Sequence, residues 1–162
     1  MVLSGLKGSF FLIVVAATIL TVFAFFTPGW RFYNHEDNEG LVINHYGALH
    51  SFEGWVVGFM ILAFIFQVII LLLTTFSFIR KENRWFGMIS VACSTIASLF
   101  LLAAIIFYSA RFDEYYGRKF INANPVITRG YSFWFTVADL IFMLIGTIVG
   151  IIAFYAHEKM DA

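Results

Sequence analysis

The chain has 162 residues, of which 61% are hydrophobic, 20% aromatic and 12% charged. Soluble domains carry about 25% charged residues, so this composition excludes an ordinary soluble domain. Ten basic and ten acidic residues give a formal net charge of zero. The sequence contains no basic stripe, so we do not expect a nucleic-acid partner.

The hydrophobic residues fall in four runs, over residues 9–27, 55–79, 87–110 and 131–155. A helix needs about 20 apolar residues to cross about 30 Å of hydrocarbon, and none of the runs alternates like a barrel strand. The pattern predicts an all-α membrane protein, a single domain over residues 1–162 with four transmembrane helices. Short connections favour an antiparallel bundle. The first run is longer than a signal-peptide core and has no clear cleavage site, so we expect it to be retained.

Basic residues do not decide the orientation of this bundle in the membrane. The tails and the 80–86 connection hold five Lys and Arg residues, and the two longer loops hold the other five. The dense "RKENR" stretch favours a cytoplasmic 80–86 connection. Cys93 is the single cysteine, so a disulfide within the chain is impossible.

Small residues mark helix contacts in membranes, because they let backbones approach closely. Ser90, Ser94 and Ser98 follow one face of the third run, and Gly146 and Gly150 form a G-x-x-x-G pattern in the fourth. We expect these faces to contact other helices of the same chain, with an oligomer contact as the alternative. The second run has few small residues, so we expect much of it to face lipid.

Two polar residues, Gln67 and Asp139, lie at membrane depth, where a polar group needs a partner. One hypothesis is a hydrogen bond to a hydroxyl of a neighbouring helix, from Thr18, Thr21 or Ser98, with the acid protonated or not. The other is a contact with a partner protein or an ion.

The loop after the first run contains residue types that bind zinc. These residues are His35, Glu36, His45, His50 and Glu53. Their spacing is not H-E-x-x-H and no cysteine joins them, so we expect a solvated loop and no metal. The single cysteine, the absence of arginine from the four runs and the lack of a Ser-His-Asp set or phosphate-binding glycine loop argue against an enzyme or a cofactor. One Asp and one Gln also leave no polar lining for a pore.

Four segments of the chain carry a family resemblance. "PGWR" ends the first run with Pro28, Trp30 and Arg31, and "EGLVINH" follows with Gly40 and Leu41. The second loop contains "RKFINANP", and the fourth run opens with "RGYSFWF". In this order the segments resemble the claudin and peripheral-myelin-protein tetraspan superfamily, in particular the divergent, cysteine-free claudin-like proteins of invertebrates such as nematodes.

Val42 and His45 stand where that superfamily has its second Trp and its first Cys. The loop disulfide is therefore missing and the loop is shorter than in claudins, which leaves room for at most a short extracellular hairpin around "LVINHYG". The resemblance places Trp30 at the outer membrane boundary, where we expect it to act mainly as an interfacial anchor. Arg31 would cap the outer end of the bundle.

The resemblance implies a non-enzymatic multi-pass plasma membrane protein with both termini in the cytoplasm. It would act through lateral and trans contacts at cell junctions or in adhesion, with membrane lipids, copies of itself and junction proteins as partners. Loop aromatic residues would anchor such contacts. These are Phe32, Tyr33, Tyr46, Phe52, Tyr115, Tyr116 and Phe120. The alternative is an auxiliary subunit of a channel or receptor, held through the small-residue faces and Asp139.

Overall fold

Four long helices dominate the computed structural model, which describes residues 2–33, 37–41, 51–79, 84–114 and 127–155. Helix α1 spans Val2–Phe26, α2 spans Ser51–Ile79, α3 spans Arg84–Phe112 and α4 spans Tyr131–Tyr155. All four are long and apolar enough to cross a membrane. The prediction of four membrane-spanning helices is confirmed. The first three helices begin before the apolar runs, α1 at Val2, α2 at Ser51 and α3 at Arg84.

Contacts at the two ends of the bundle show that successive helices are antiparallel. At one end, Phe11 of α1 lies against Phe78 of α2, and Phe10 lies against Phe154 of α4. At the other end, the residues that follow α1 contact the start of α4. We call this second end the sheet end and the first the terminal end. The helices follow one another around a ring, and the α1–α2 interface is the least extensive of its four interfaces.

Helix α2 shows how one stripe of an apolar helix is buried while the rest faces lipid. Its buried residues recur every three or four positions, as a single helix face requires. They are Phe52, Glu53, Val56, Met60, Ala63, Gln67, Ile70 and Thr74. The intervening Leu, Ile and Phe side chains are exposed, as expected for a surface solvated by hydrocarbon. Stacked Phe66 and Phe100, with ring centroids 5.9 Å apart, join this helix to α3.

A small antiparallel sheet covers the sheet end. Strands β1 (Arg31–Tyr33), β2 (Asp37–Glu39) and β3 (Ile127–Arg129) are arranged in the order β2-β1-β3. Phe32 pairs with Asn38 on one side and with Thr128 on the other. This hairpin precedes the "LVINHYG" stretch, around which we expected a hairpin. Residues 42–47 of that stretch lie outside the described residues. The sheet also gains a strand from the second long loop, a pairing that no local pattern indicates.

Candidate functional site

The segment "PGW" follows the end of α1. Its proline removes a backbone hydrogen-bond donor to the helix, and its tryptophan provides a replacement. In a continuing helix the carbonyl of Ala24 would accept the N–H of residue 28, but proline has no N–H. The indole Nε1 of Trp30 donates to that carbonyl instead, at 2.6 Å. The spacing of proline and tryptophan thus has a physical reason, because the indole replaces the missing backbone donor.

Trp30 is also the centre of an aromatic cluster. Its ring centroid lies 4.9 Å from that of Tyr108 and 6.3 Å from that of Phe133. Its carbonyl oxygen accepts the Tyr108 hydroxyl and the backbone N–H of Gly130, each at 3.0 Å. The ring joins the end of α1 to α3 and α4, and only 1% of the residue is exposed.

The expectation that Trp30 is mainly an interfacial anchor is therefore wrong, since the ring is buried among helices. The other three tryptophans have the exposure that an anchor needs. Trp55 and Trp134 lie near the starts of α2 and α4 at the sheet end, and Trp85 lies at the start of α3 at the terminal end. They are 65%, 60% and 70% exposed. Exposed tryptophan rings at both ends of the bundle are what membrane boundaries favour.

Two glycines allow the turn after α1 to touch the turn before α4. A Cβ atom on Gly130 would lie 2.1 Å from the carbonyl oxygen of Gly29, and one on Gly29 would lie 2.3 Å from the Tyr131 ring. Ser132 donates its backbone N–H to that Gly29 carbonyl at 2.8 Å. The Ser132 hydroxyl lies 2.7 Å from the hydroxyl of Thr27. Two of the segments that carry the family resemblance, "PGWR" and "RGYSFWF", therefore contact each other directly.

Arg31 and Glu53 form a buried ion pair beside this contact, with Nη1 and Oε1 3.0 Å apart. The side chains are 3% and 1% exposed. Arg31 opens β1 and Glu53 lies in the first turn of α2, so the pair attaches the sheet to a third helix. In the sequence, Glu53 stands out only as a residue type that could bind a metal. Within the described ranges no three His, Cys, Asp or Glu residues cluster to bind a metal, and His35, Glu36, His45 and His50 lie outside them.

Arg129 attaches the edge strand β3 to the end of α3. Its Nη2 donates to Oδ1 of Asp113 at 2.7 Å, and its guanidinium lies 5.4 Å from the Phe112 ring centroid and 5.7 Å from that of Phe133. The last turn of α3 thereby fixes β3. We refer to residues 28–31 and 130–133, together with Glu53, Tyr108 and Arg129, as the sheet-end cap. Gly40 and Leu41, which follow β2 in the sequence, are also buried.

The loop aromatic residues proposed as contact anchors separate into two groups. Phe52 is buried, with its ring centroid 6.3 Å from that of Tyr108, and Phe32 is partly buried against Tyr131. These two rings contribute to packing of the sheet end rather than to an exposed patch. Tyr46, Tyr115, Tyr116 and Phe120 lie outside the described residues, as does the side chain of Tyr33.

The two intramembrane polar residues meet in the middle of the bundle. Nε2 of Gln67 lies 3.0 Å from Oδ1 and 3.3 Å from Oδ2 of Asp139. The Thr21 hydroxyl lies 2.8 Å from Oε1 of Gln67 and within hydrogen-bonding distance of Oδ2 of Asp139. We call Thr21, Gln67 and Asp139 the polar ring, which joins α1, α2 and α4. Of the three hydroxyls considered from the sequence, Thr21 takes this position, and its oxygen also lies 3.3 Å from the carbonyl oxygen of Ala17. Thr18 and Ser98 instead donate to carbonyls of their own helices.

The small residues of α3 and α4 face other helices of the same chain. Ser94 and Thr147 place their hydroxyl oxygens 2.7 Å apart across the α3–α4 interface. A Cβ atom on Gly146 would lie 3.2 Å from Ile13 of α1, and one on Gly150 would lie 3.0 Å from Phe10 of α1 and from Val91 of α3. Ser90 and Ser98 are also buried and donate to carbonyls one turn back, Ser90 at 2.7 Å and Ser98 at 2.9 Å.

A four-helix membrane bundle whose two long loops join in one sheet defines a tetraspan membrane protein. Comparison with protein families supports a narrower class: a family model described as a claudin-like tight junction protein matches residues 1–160. The chain belongs to this family. Its members are in general not enzymes. No curated protein matches the sequence.

Proposed function

We propose that the chain acts at cell junctions, with its sheet end outside the cell, making lateral and trans contacts with copies of itself and with other junction proteins. The observation that carries the proposal is the pairing of β1 with β3, which joins the two long loops into a single face. A preorganised face costs less entropy on binding than two independent loops.

The sheet-end cap supplies the rigidity that a loop disulfide gives to other members of the superfamily. The chain has one cysteine, so its sheet depends on non-covalent attachments. Arg31 attaches β1 to α2 and Arg129 attaches β3 to α3. These attachments support a face that meets its partners without rearrangement.

The test is a mixed culture of cells that form no junctions of their own, some expressing the fluorescently tagged chain and some not. The proposal predicts enrichment of the chain at boundaries between two expressing cells and none where one cell lacks it. Arg129→Gln, which releases β3 from Asp113, should reduce this enrichment while surface labelling stays within about twofold.

Arg111→Gln is the matched control. Arg111 lies at the same end of α3, but its ion pair with Glu114 is within the helix terminus and leaves β3 attached. This variant should behave like the unmodified chain. Equal signal at both kinds of boundary would refute trans contact, and equal loss in both variants would refute the role of the sheet.

A role as an auxiliary subunit of a channel or receptor is the second candidate, supported by a different surface. The residues first suggested to hold a partner helix, Asp139 and the small-residue faces, are buried within the bundle. An apolar cavity of about 160 Å³ instead opens between α1 and α2, at their least extensive interface. It is lined by Thr21, Val22, Phe25, Phe26, Met60, Ile61 and Phe64.

The auxiliary role predicts a stoichiometric channel or receptor in a mild-detergent pull-down from native membranes. Ile61→Trp would fill the cavity and should remove that partner from the eluate. Ile148→Trp on α4 is the control, since Ile148 is 59% exposed and lies away from the cavity. Recovery of junction proteins and of oligomers of the chain itself would favour the junctional role.

A further inference from the structure

The polar ring has more short contacts than an ionised Asp139 can satisfy. The Thr21 hydroxyl has one proton, yet its oxygen is close both to Oε1 of Gln67 and to Oδ2 of Asp139. Neither a carboxylate nor an amide oxygen carries a proton of its own. If Thr21 donates to one of the two, the other contact joins two oxygens with no hydrogen between them.

Reversing the Gln67 amide does not remove this conflict. The reversed amide donates to Thr21, which can then donate to Oδ2 of Asp139. However, the amide oxygen then faces Oδ1 of Asp139, in a contact whose length is 3.0 Å. With a carboxylate, that contact again lacks a hydrogen. In either orientation of the amide, the three contacts need one more proton than Thr21, Gln67 and an ionised Asp139 supply.

We propose that Asp139 carries a proton and that the polar ring is a closed cycle of three hydrogen bonds. Asp139 donates from Oδ2 to Thr21, Thr21 donates to Oε1 of Gln67, and Gln67 donates from Nε2 to Oδ1 of Asp139. The reversed amide gives the same cycle in the opposite direction. Every short contact then contains a hydrogen.

The surroundings of the ring agree with a neutral acid. Asp139 is the single ionisable acidic residue in the four apolar runs. These runs contain no Lys, Arg or His whose positive charge could balance a carboxylate. Lys7 lies near the terminal end over the Phe154 ring, and Glu53 is paired with Arg31 at the sheet end. All three members of the ring are at most 1% exposed. An unpaired charge at such a depth is costly, whereas a protonated acid is an ordinary donor and acceptor.

The cycle would hold together the part of the bundle that has the least packing. It joins α2 to α1 and α4, and α1–α2 is the least extensive interface. Thr21 also lines the cavity between α1 and α2, so the polar ring borders that cavity.

Infrared spectroscopy of the purified full chain at pH 7 tests the proposal, with Asp139→Asn as the matched variant. Asparagine supplies one donor and one acceptor in the same positions, so the cycle persists without the added proton. The difference spectrum should contain the C=O stretch of a protonated carboxylic acid, which Asp139→Asn loses. The chain has ten Asp and Glu residues, and the other nine are common to both samples and cancel.

Thr21→Val provides a second readout. It removes the acceptor of the acid proton but keeps the side-chain shape, so the acid band should shift and not disappear. Loss of carboxylate bands in Asp139→Asn, with no change in the acid region, would overturn the proposal. An acid band unaffected by Thr21→Val would show a protonated Asp139 outside such a cycle, and would equally overturn it.

Discussion

At the scale of single residues, the sheet end depends on a few side chains that complete backbone or charge interactions. Trp30 is the clearest case, because its indole N–H serves the carbonyl that Pro28 leaves without a donor. Replacing the ring by another aromatic ring keeps most of the packing and removes that donor. The measured loss then combines the missing bond with the small void that the smaller ring leaves.

We expect Trp30→Phe to lower the free energy of unfolding by about 1–3 kcal/mol, the usual cost of a buried acceptor left unsatisfied. Thermal unfolding in detergent can be followed with a thiol-reactive dye, because Cys93 is the single cysteine and lies within α3. Trp134→Phe is the control, since Trp134 is 60% exposed and should leave the midpoint unchanged. Equal midpoints for both variants would contradict the capping role of the indole.

The ion pair of Arg31 and Glu53 allows a second test at this scale. Removing one partner leaves the other charge buried, so Arg31→Met should cost about 3–5 kcal/mol. The double variant Arg31→Met with Glu53→Met should recover a large part of that loss, because no unpaired charge remains. The exposed pair of Arg111 and Glu114, substituted in the same way, should change stability by about 0–1 kcal/mol.

A double-mutant cycle on both pairs separates the coupling from the single effects. If the buried pair gave a coupling energy no larger than the exposed pair, its role in attaching the sheet to α2 would be wrong.

At the scale of elements, glycines determine how closely α4 approaches its neighbours. Gly150 faces both α1 and α3, where a Cβ atom would lie 3.0 Å from Phe10 and from Val91, closer than ordinary van der Waals contact. Gly58 of α2 has nothing within 4 Å of the position its Cβ would occupy. The two glycines thus provide the same chemical change in a tight and in an open environment.

Gly150→Ala should destabilise the bundle by about 1–3 kcal/mol through overpacking. Gly58→Ala should be neutral or stabilising by up to about 1 kcal/mol, because alanine has the higher helix propensity. The Cys93 dye measures both midpoints. A neutral Gly150→Ala would mean that α1 and α4 are less closely packed than the structure indicates.

Much of the fold, but less of the sheet-end cap, could be predicted from the sequence. The length of each apolar run determines a membrane-spanning helix whatever its neighbours are, so the four helices could be identified. The Ala24–Pro28–Trp30 relation was also within reach, because proline removes a definite backbone donor. The partners of Arg31 and Arg129 were not, because they lie on elements distant in the sequence and only the packed bundle brings them together.

The hairpin of β1 and β2 was not predicted for a related reason. The hairpin expected around "LVINHYG" falls on residues outside the described part of the chain, apart from Leu41. The observed strand β1 follows directly from the end of α1, and its register is set by pairing with β3. Similarly, apolar patterning cannot distinguish a tryptophan at the lipid boundary from one beneath a sheet, which is why Trp30 was misplaced and Trp55, Trp85 and Trp134 were not singled out.

At the scale of the whole molecule, the sheet end and the terminal end must lie on opposite sides of the membrane. The helical rise supports a full crossing, since the 21 residues from Trp134 to Phe154 span about 30 Å. The proposed junctional contacts require the sheet end to lie outside the cell. The equal numbers of basic residues at the two ends leave this orientation to experiment.

Introduced glycosylation sites test the orientation, because the sequence has no Asn-x-Ser/Thr acceptor of its own. Tyr46→Thr creates one at Asn44 in the first long loop. Asn124→Thr combined with Pro125→Ala creates one at Asn122 in the second, since a proline directly after the acceptor threonine would block modification. An acceptor attached after Ala162 through a flexible linker serves as the control for the terminal end. We expect both loop sites to gain a glycan that an endoglycosidase removes, and the attached site to stay unmodified. The opposite pattern would place the sheet end in the cytoplasm, where contacts between cells are impossible, and the junctional proposal would fail with it.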